Sequence, residues 1–241
     1  MLIVADGMGG AAAGDVASRI AIDTLTKRFT AVSTQQAPLT THTLRTAIAE
    51  ANDAIVRHVD TAPETAGMAT TIVVAWVTAS QAVVAWCGDS RCYLYRPGKG
   101  LQRVSHDHSY VQQLVDAGEI TEEEALTHPK SNIITSCLGD TGISPETDIT
   151  VADMQPGDLL LLCSDGLCGY CSDGDIESIL NRYHDDPPVC QEALLQAALD
   201  TGGHDNITIA IAALASAPPS APQSSLKTFF HRLLGGTFKG K

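Results

Sequence analysis

The sequence predicts an α+β protein in which helices cover antiparallel sheets. Three observations support this class: two long helical patterns come first, a series of short strands follows, and further helices precede a final strand. This order lacks the regular strand–helix alternation of a parallel, doubly wound sheet. With 241 residues, 44% of them hydrophobic and 18% charged, the chain can bury a core without disulfides or a structural metal.

The N-terminal part predicts one strand followed by two helices. An apolar run of strand formers occupies 2–5, and apolar residues recur at helical spacing from Ala11 to about Phe29. The polar stretch at 31–38 is expected to be a loop. A second amphipathic helix is expected at 40–60.

Short strands and helices are predicted for the remainder. β-branched and aromatic runs bounded by turn residues are typical of antiparallel strands, and we assign strands at 70–77, 81–87, 92–96, 148–151, 159–163 and 207–214. Helical patterns, one of them opened by a capping-box spacing, lie at 108–117, 121–127, 173–180 and 188–198.

Acidic residues dominate the body of the chain. The protein has 28 acidic and 15 basic residues, a formal charge of −13, and Asp205 is the last acid. This balance argues against nucleic-acid binding through phosphates, which needs clustered Lys and Arg. Cations or positively charged partners are the electrostatically natural ligands.

Seven cysteines, an odd number, cannot all pair with one another, and several lie in apolar runs. Cys168-x-x-Cys171 has the spacing of half a zinc site, but the absence of a second pair in the sequence favours structural thiols. Neither a signal peptide nor an apolar run of membrane-spanning length is found. We therefore expect a monomeric protein of the reducing cytoplasm.

Four aspartates lie at the ends of apolar runs or between predicted strands: Asp6, Asp89, Asp165 and Asp205. A carboxylate at the end of a buried strand is costly without a counter-charge. Few Lys or Arg lie nearby, so divalent cations such as Mg²⁺ or Mn²⁺ are suitable counter-charges. Turn formation is the alternative at any single position.

The first of these positions permits a rival interpretation. Gly7-x-Gly9-x-x-Ala12, between a strand and a helix, fits the dinucleotide-binding fingerprint. That fingerprint requires a second strand ending in Asp or Glu about 20 residues later. This chain has the end of a helix and a polar loop there, so nucleotide binding is disfavoured.

Taken in order, the motifs resemble the metal-dependent protein phosphatase family (PPM or PP2C type) in its compact bacterial form. Together they cover nearly everything from Leu2 to Leu214. The matching segments are Val4-Ala5-Asp6-Gly7-Met8-Gly9-Gly10, Gly67-Met68-Ala69-Thr70-Thr71, Gly88-Asp89-Ser90-Arg91, Asp107-His108-Ser109, His128-Pro129-Lys130-Ser131-Asn132, Ser164-Asp165-Gly166-Leu167 and Asp205-Asn206-Ile207-Thr208.

The resemblance implies a four-layer αββα sandwich with a binuclear Mn²⁺ or Mg²⁺ centre in a cleft. By motif, Asp6 would bridge two cations and the Gly7 carbonyl would ligate one of them. Asp165 and Asp205 would complete the two sites. Asp89, with Asp165, would contact a third, more weakly held cation.

The implied activity is hydrolysis of phosphoserine and phosphothreonine in proteins phosphorylated by a bacterial Ser/Thr kinase. A water that bridges the cations would attack phosphorus, with the catalytic role falling to Asp6, Asp165 and Asp205. No residue is assigned to substrate binding. The segment 108–136 would include a flap beside the cleft, and Arg91 is expected to form an ion pair rather than grip phosphate.

Two departures from the family pattern leave an alternative open. Met8 stands where many eukaryotic members have His, so the leaving group must take its proton from water or another residue. Members also have a strand before the one at Leu2, with a phosphate-gripping Arg and an Asn-Glu-Asp segment. We therefore expect a truncated or miscalled start. Loss of catalysis with that strand would leave a pseudophosphatase that binds metal or a partner.

The sequence divides into a phosphatase domain at 1–216, a Pro/Ser-rich linker at 217–225 and a basic tail at 226–241. The tail has an apolar helical stripe with basic residues beside it. It is expected to dock on an anionic membrane surface or on a partner. The alternative is a helix that folds back onto its own domain.

Overall fold

Two antiparallel sheets of four strands each lie at the centre of the molecule. The computed structural model describes residues 1–9, 11–34, 40–142 and 145–215. The first sheet consists, in spatial order, of β1 (Leu2–Val4), β4 (Ile72–Val77), β5 (Gln81–Cys87) and β8 (Asp148–Asp153). The second consists of β10 (Ile209–Ala213), β9 (Leu159–Cys163), β6 (Arg91–Arg96) and β7 (Gly100–Arg103). A small separate ladder joins β2 (Gly7–Met8) to β3 (Ala69–Thr70).

Helices cover the outer face of each sheet and form part of the cleft wall. Their bounds are Ala11–Thr34 for α1, Thr41–Thr61 for α2, Tyr110–Asp116 for α3, Glu122–Leu126 for α4, Asp165–Cys168 for α5, Asp173–Tyr183 for α6 and Pro187–Asp200 for α7, with a single 3₁₀ turn at Pro63–Thr65. None of the described helices is long and apolar enough to cross a membrane.

Alternate residues of the central strands build separate cores on either face. In β9, Leu161 packs towards α6 and α7, whereas Leu160 and Leu162 pack against the first sheet. In β4, Val74 packs beneath α1 and α2, and Val73 faces the second sheet. Burial on both faces explains why the sequences of these strands are continuous apolar runs. The layers are helix, sheet, sheet and helix, which confirms the predicted four-layer sandwich.

The loop predicted at 31–38 is wrong in its first part, because α1 continues to Thr34. Phe29 is fully buried and its ring lies 5.9 Å from that of Trp76, so packing on the first sheet holds the end of the helix. Polar sequence alone does not stop a helix that tertiary contacts support. The linker at 217–225 and the tail at 226–241 lie outside the described residues.

Three further elements differ from the sequence prediction. The short strand β7 and the one-turn helix α5 were not predicted, and the final strand begins at Ile209 rather than at position 207. The strand β7 exists because it pairs with β6 across a tight turn. Such pairing depends on the neighbouring strand more than on composition.

Candidate metal centre

Asp6 lies directly beyond β1, where the chain leaves the first sheet. Its backbone is fixed by Thr71: the Asp6 carbonyl accepts the Thr71 N–H at 2.9 Å, and the Asp6 N–H donates to Thr71 Oγ1 at 3.2 Å. Thr70 Oγ1 also donates to the Asp6 carbonyl at 2.9 Å. Thr70 ends β3 and Thr71 lies between β3 and β4, so the β3–β4 segment holds Asp6 in place.

Gly7 follows Asp6 and pairs with Thr70 in the small β2–β3 ladder. A Cβ added at Gly7 would overlap the backbone carbonyl of Gly14 in α1. The helix therefore approaches the β2 backbone more closely than any side chain would permit. The glycine spacing that resembled a dinucleotide fingerprint is explained by this close packing.

Asp165 and Asp205 approach the same region from the second sheet. Asp165 is the first residue of α5, directly after β9 and Ser164. The Ser164 side chain donates to the Asn206 carbonyl at 3.1 Å and accepts the Thr208 N–H at 3.0 Å. This pair of bonds ties the Asp165 segment to the Asp205 segment.

Asp89 lies on the turn between β5 and β6, where the chain crosses from the first sheet to the second. It is 8% exposed, whereas Asp205 is exposed. The four predicted aspartates therefore meet at one end of the sandwich: Asp6 and Asp165 follow strands, Asp89 lies on the turn that joins the sheets, and Asp205 lies in the loop before β10.

These carboxyl groups strongly perturb one another. Burial, followed by the interaction with Asp165 and the charges of Asp205 and Asp89, raises the pKa of Asp6 to about 8. Burial, followed by the charges of Asp165 and Asp107, raises the pKa of Asp89 to about 8. Burial also raises the pKa of Asp165.

The carboxylate oxygens of these aspartates are suitable ligands for divalent cations. Asp165 Oδ1 is buried and has no hydrogen-bond partner among the described residues. Carboxylate oxygens are the ligands that Mg²⁺ and Mn²⁺ prefer, and mutual repulsion of like charges is relieved by a cation. Within the described ranges, however, no three His, Cys, Asp or Glu side chains already converge as a finished cation site. The residues fit a cation by their chemistry, with the carboxyl groups of Asp6 and Asp165 close enough to interact.

A cleft of about 150 Å³ opens over these groups. Asp89, Asp165 and Asp205 line its inner part, and the flap segment, defined as residues 108–136, provides the opposite wall through α3 and α4. The outer wall includes Tyr170, which follows α5 and whose ring lies 5.5 Å from that of His204. The sequence analysis did not single out Tyr170, because no motif marks an aromatic residue there.

Arg91 also lines the cleft, but its guanidinium is engaged. Nη2 donates to Asp107 Oδ2 at 2.7 Å, Nε donates to both oxygens of the same carboxylate, and Nη1 donates to Tyr93 Oη at 3.1 Å. The predicted ion pair is confirmed. Tyr93 and Asp173 complete this network, and Asp173 was not found from the sequence because it is distant from Arg91 along the chain.

All seven cysteines are free thiols. Cys168 and Cys171 are buried in the core between the second sheet and its helices. Burial raises the pKa of Cys171, and a hydrogen bond from Cys163 together with burial raises the pKa of Cys168. Protonated, packed thiols agree with the structural role predicted for this pair.

Comparison with known proteins identifies the family. A model described as protein phosphatase 2C matches residues 1–203. The chain is 40% identical over 214 residues to the serine/threonine phosphatase stp of Listeria monocytogenes, covering 87% of this chain and 82% of that protein. It is 38% identical over 214 residues to the serine/threonine protein phosphatase PstP of Mycobacterium tuberculosis, covering 88% of this chain and 40% of that protein.

Solved structures agree with the sequence relatives. The crystal structure of the Mycobacterium tuberculosis phosphatase PstP/Ppp superposes with a TM-score of 0.78 at 37% identity, covering 89% of this chain and 88% of that one. The catalytic domain of PstP in complex with two manganese ions gives a TM-score of 0.75 at 36% identity, covering 89% and 87%. The chain belongs to the protein phosphatase 2C family.

Proposed function

We propose that this protein is a serine/threonine protein phosphatase that depends on Mn²⁺ or Mg²⁺. The observation that carries the proposal is the meeting of four aspartates in a chain whose relatives are named for this activity: Asp89, Asp165 and Asp205 line one cleft, and Asp6 interacts with all three. One of those relatives has a structure with two manganese ions.

Asp6, the Gly7 carbonyl, Asp165 and Asp205 would hold two cations, and Asp89 with Asp165 would contact a third. When bound, the cations supply the positive charge that neutralises a phosphate dianion and activates water for in-line attack. The chain's own residues position these ligands: Thr71 holds Asp6, and Ser164 ties the Asp165 segment to the Asp205 segment. The flap segment closes one side of the cleft in which the phosphorylated side chain would lie.

The decisive experiment compares hydrolysis of a phosphothreonine peptide by the wild-type chain and by Asp205→Asn, with and without Mn²⁺. We expect turnover that requires the cation and falls at least about 100-fold in the variant, because one ligand is lost. Asp200→Asn is the matched control, since this carboxylate lies at the end of α7 and accepts a hydrogen bond only from Gln196 among the bonds described. Mn²⁺ binding without turnover in the wild type would contradict the proposal and favour the pseudophosphatase alternative.

The proposed setting is a reducing cytoplasm, which seven free thiols support. There a monomer would act on proteins phosphorylated by a Ser/Thr kinase of the same cell. Light scattering tests the monomeric state, and a dimer in solution would contradict it.

The proposed docking of the tail on an anionic surface is tested by deleting residues 218–241. Unchanged binding to vesicles rich in anionic lipid, and to proteins captured by the full chain, would contradict it.

A further inference from the structure

The turn that carries Asp89 joins the two sheets, so the strand-to-strand hydrogen bonds of either sheet alone do not fix its position. On one side it is held by Thr71, whose hydroxyl lies 2.7 Å from that of Ser90. Gly88 has a φ of +111°, and a Cβ at this glycine would lie 2.7 Å from the Thr71 side chain. Thr71 also holds Asp6, and it therefore links two of the candidate cation ligands.

On the other side the turn is held by the entry to the flap segment. Four consecutive residues, which we name the 105–108 segment, each contact the β5–β6 region. In chain order the contacts are Ser105 Oγ accepting from Cys92 N at 2.8 Å, the His106 carbonyl accepting from Trp86 Nε1 at 2.7 Å, Asp107 Oδ2 accepting from Arg91 Nη2 at 2.7 Å, and His108 Nδ1 accepting from Gly88 N at 3.2 Å.

His108 makes the contact that lies beside Asp89. Its backbone N–H donates to the Gly88 carbonyl at 3.0 Å, while its ring Nδ1 accepts the Gly88 N–H. Because Nδ1 is an acceptor, the ring hydrogen is assigned to Nε2, which faces Asp148 Oδ2 at 3.4 Å. His108, which is 8% exposed, thus bonds both polar groups of the glycine that precedes Asp89, the N–H through its ring and the carbonyl through its own backbone N–H.

The same residue closes the base of the flap segment. The His108 carbonyl accepts the Thr135 N–H at 2.8 Å, and the Tyr110 N–H donates to the Ile133 carbonyl at 2.9 Å. The entry and exit of the flap segment are therefore bonded together at His108. A displacement of the flap base would move Gly88, and with it the backbone of Asp89.

We propose that His108 is a positioning residue that couples the flap segment to Asp89 and thereby sets the affinity for the cation that Asp89 contacts. This inference rests on the proposed function only in taking Asp89 as a cation ligand. Because coupling between sites is reciprocal, the cation at Asp89 and a ligand held under the flap segment each strengthen the binding of the other.

The test compares three variants with the wild type. His108→Ala removes the acceptor for the Gly88 N–H. His108→Asn retains an acceptor, because the amide Oδ1 can take the place of the ring Nδ1. His106→Ala is the matched control, since the exposed His106 side chain bonds Asp116 while its contact with the turn is made by the main-chain carbonyl.

Mn²⁺ binding is measured by titration calorimetry, and amide hydrogen exchange is followed at Gly88. We expect His108→Ala to weaken the weakest Mn²⁺ site at least tenfold and to accelerate exchange at Gly88, with no change in exchange across β9. In turnover assays of His108→Ala, the Mn²⁺ concentration for half-maximal rate should rise above that of the wild type. His108→Asn should lie within about threefold of the wild type, and His106→Ala should match it.

Equal Mn²⁺ affinity in His108→Ala and the wild type would overturn the inference, and so would a His108→Asn variant as impaired as His108→Ala. If His108→Ala does not fold, Asp148→Ala replaces it, because the ring Nε2 is the one side-chain partner of this half-exposed carboxylate among the described residues. A Mn²⁺ affinity reduced a few-fold would support the coupling, and an unchanged one would overturn it. The two proposals can fail separately. If the wild type binds Mn²⁺ without turnover, the proposed function is contradicted. If Mn²⁺ binding is nevertheless weaker in His108→Ala, the coupling is still supported.

Discussion

The carboxyl groups of Asp6 and Asp165 lie close enough to interact, although Asp6 follows a strand of the first sheet and Asp165 follows a strand of the second. Burial, followed by the interaction with Asp165 and the charges of Asp205 and Asp89, raises the pKa of Asp6 to about 8. A raised pKa favours the protonated form of a carboxyl group. Without cations, Asp6 therefore tends to hold a proton where the proposed cations would bind.

Cation binding should release these protons. With the pKa of Asp6 and of Asp89 near 8, both groups are mostly protonated at pH 6.5, and a cation must displace the protons to bind. We expect Mn²⁺ affinity to fall by on the order of tenfold per pH unit below pH 8 for each proton displaced. Calorimetry in buffers of different ionisation enthalpy measures the release. A binding heat independent of the buffer would contradict this expectation, and Asp165→Asn should reduce the release.

The stability of the cation-free protein should fall as pH rises through the range in which these aspartates titrate. An ordinary aspartate, whose pKa is lowered by folding, has the opposite effect, because it makes stability rise with pH. The pKa of Asp89 is about 8 in the fold and 3.8 in the unfolded chain, so the folded state binds more protons between these values. The contribution of Asp89 to stability therefore declines as pH rises from about 4 to about 8. With a chelator present, Asp89→Asn should be more stable than the wild type at pH 8 by at least about 1 kcal/mol, and nearly equal at about pH 4. Urea unfolding at both pH values measures this, and a variant less stable at pH 8 would refute it.

The close approach of α1 to β2 should make Gly14 intolerant of a side chain. A Cβ at Gly14 would lie 2.6 Å from the Gly7 carbonyl carbon and 2.9 Å from the Met8 nitrogen, both of them backbone atoms. Gly14→Ala should therefore lower the free energy of unfolding by about 2 kcal/mol and weaken Mn²⁺ binding, although alanine is normally the better helix former. In Gly174→Ala, the control in α6, the nearest atom lies 3.7 Å away. Its stability should stay the same or rise, and equal behaviour of the two variants would contradict the prediction.

The Arg91–Asp107 pair should be a large contributor to the stability of the cleft. The Arg91 and Asp107 side chains are only 13% and 6% exposed, so Arg91→Met leaves a buried carboxylate without its partner. We expect a loss of about 3 kcal/mol in urea unfolding. Arg28→Met is the control, because its 3.8 Å pair with Glu50 is exposed and should contribute less than about 0.5 kcal/mol. Similar losses in the two variants would show that the buried pair has no special role.

The sequence predicted the parts of this fold that local patterns encode. Periodicity located both long helices and the apolar strands β4, β5 and β9, because burial on both faces leaves a continuous apolar run. It missed β7, which depends on pairing with β6, and it ended α1 too early, because contacts with the sheet support its last turns. Such contacts have no signature within a short window of sequence.

For the candidate site, the sequence by itself determined which residues are candidates for the chemistry, since an aspartate at the end of an apolar run is visible without a structure. Only the tertiary structure decided that they meet. Stacking of the two sheets brings Asp6 against Asp165, and the crossing turn places Asp89 beside them. The contact of His108 with Gly88 likewise joins segments from different elements. The physical reason is that burial and charge repulsion depend on distances in space, which the packing of the sheets sets.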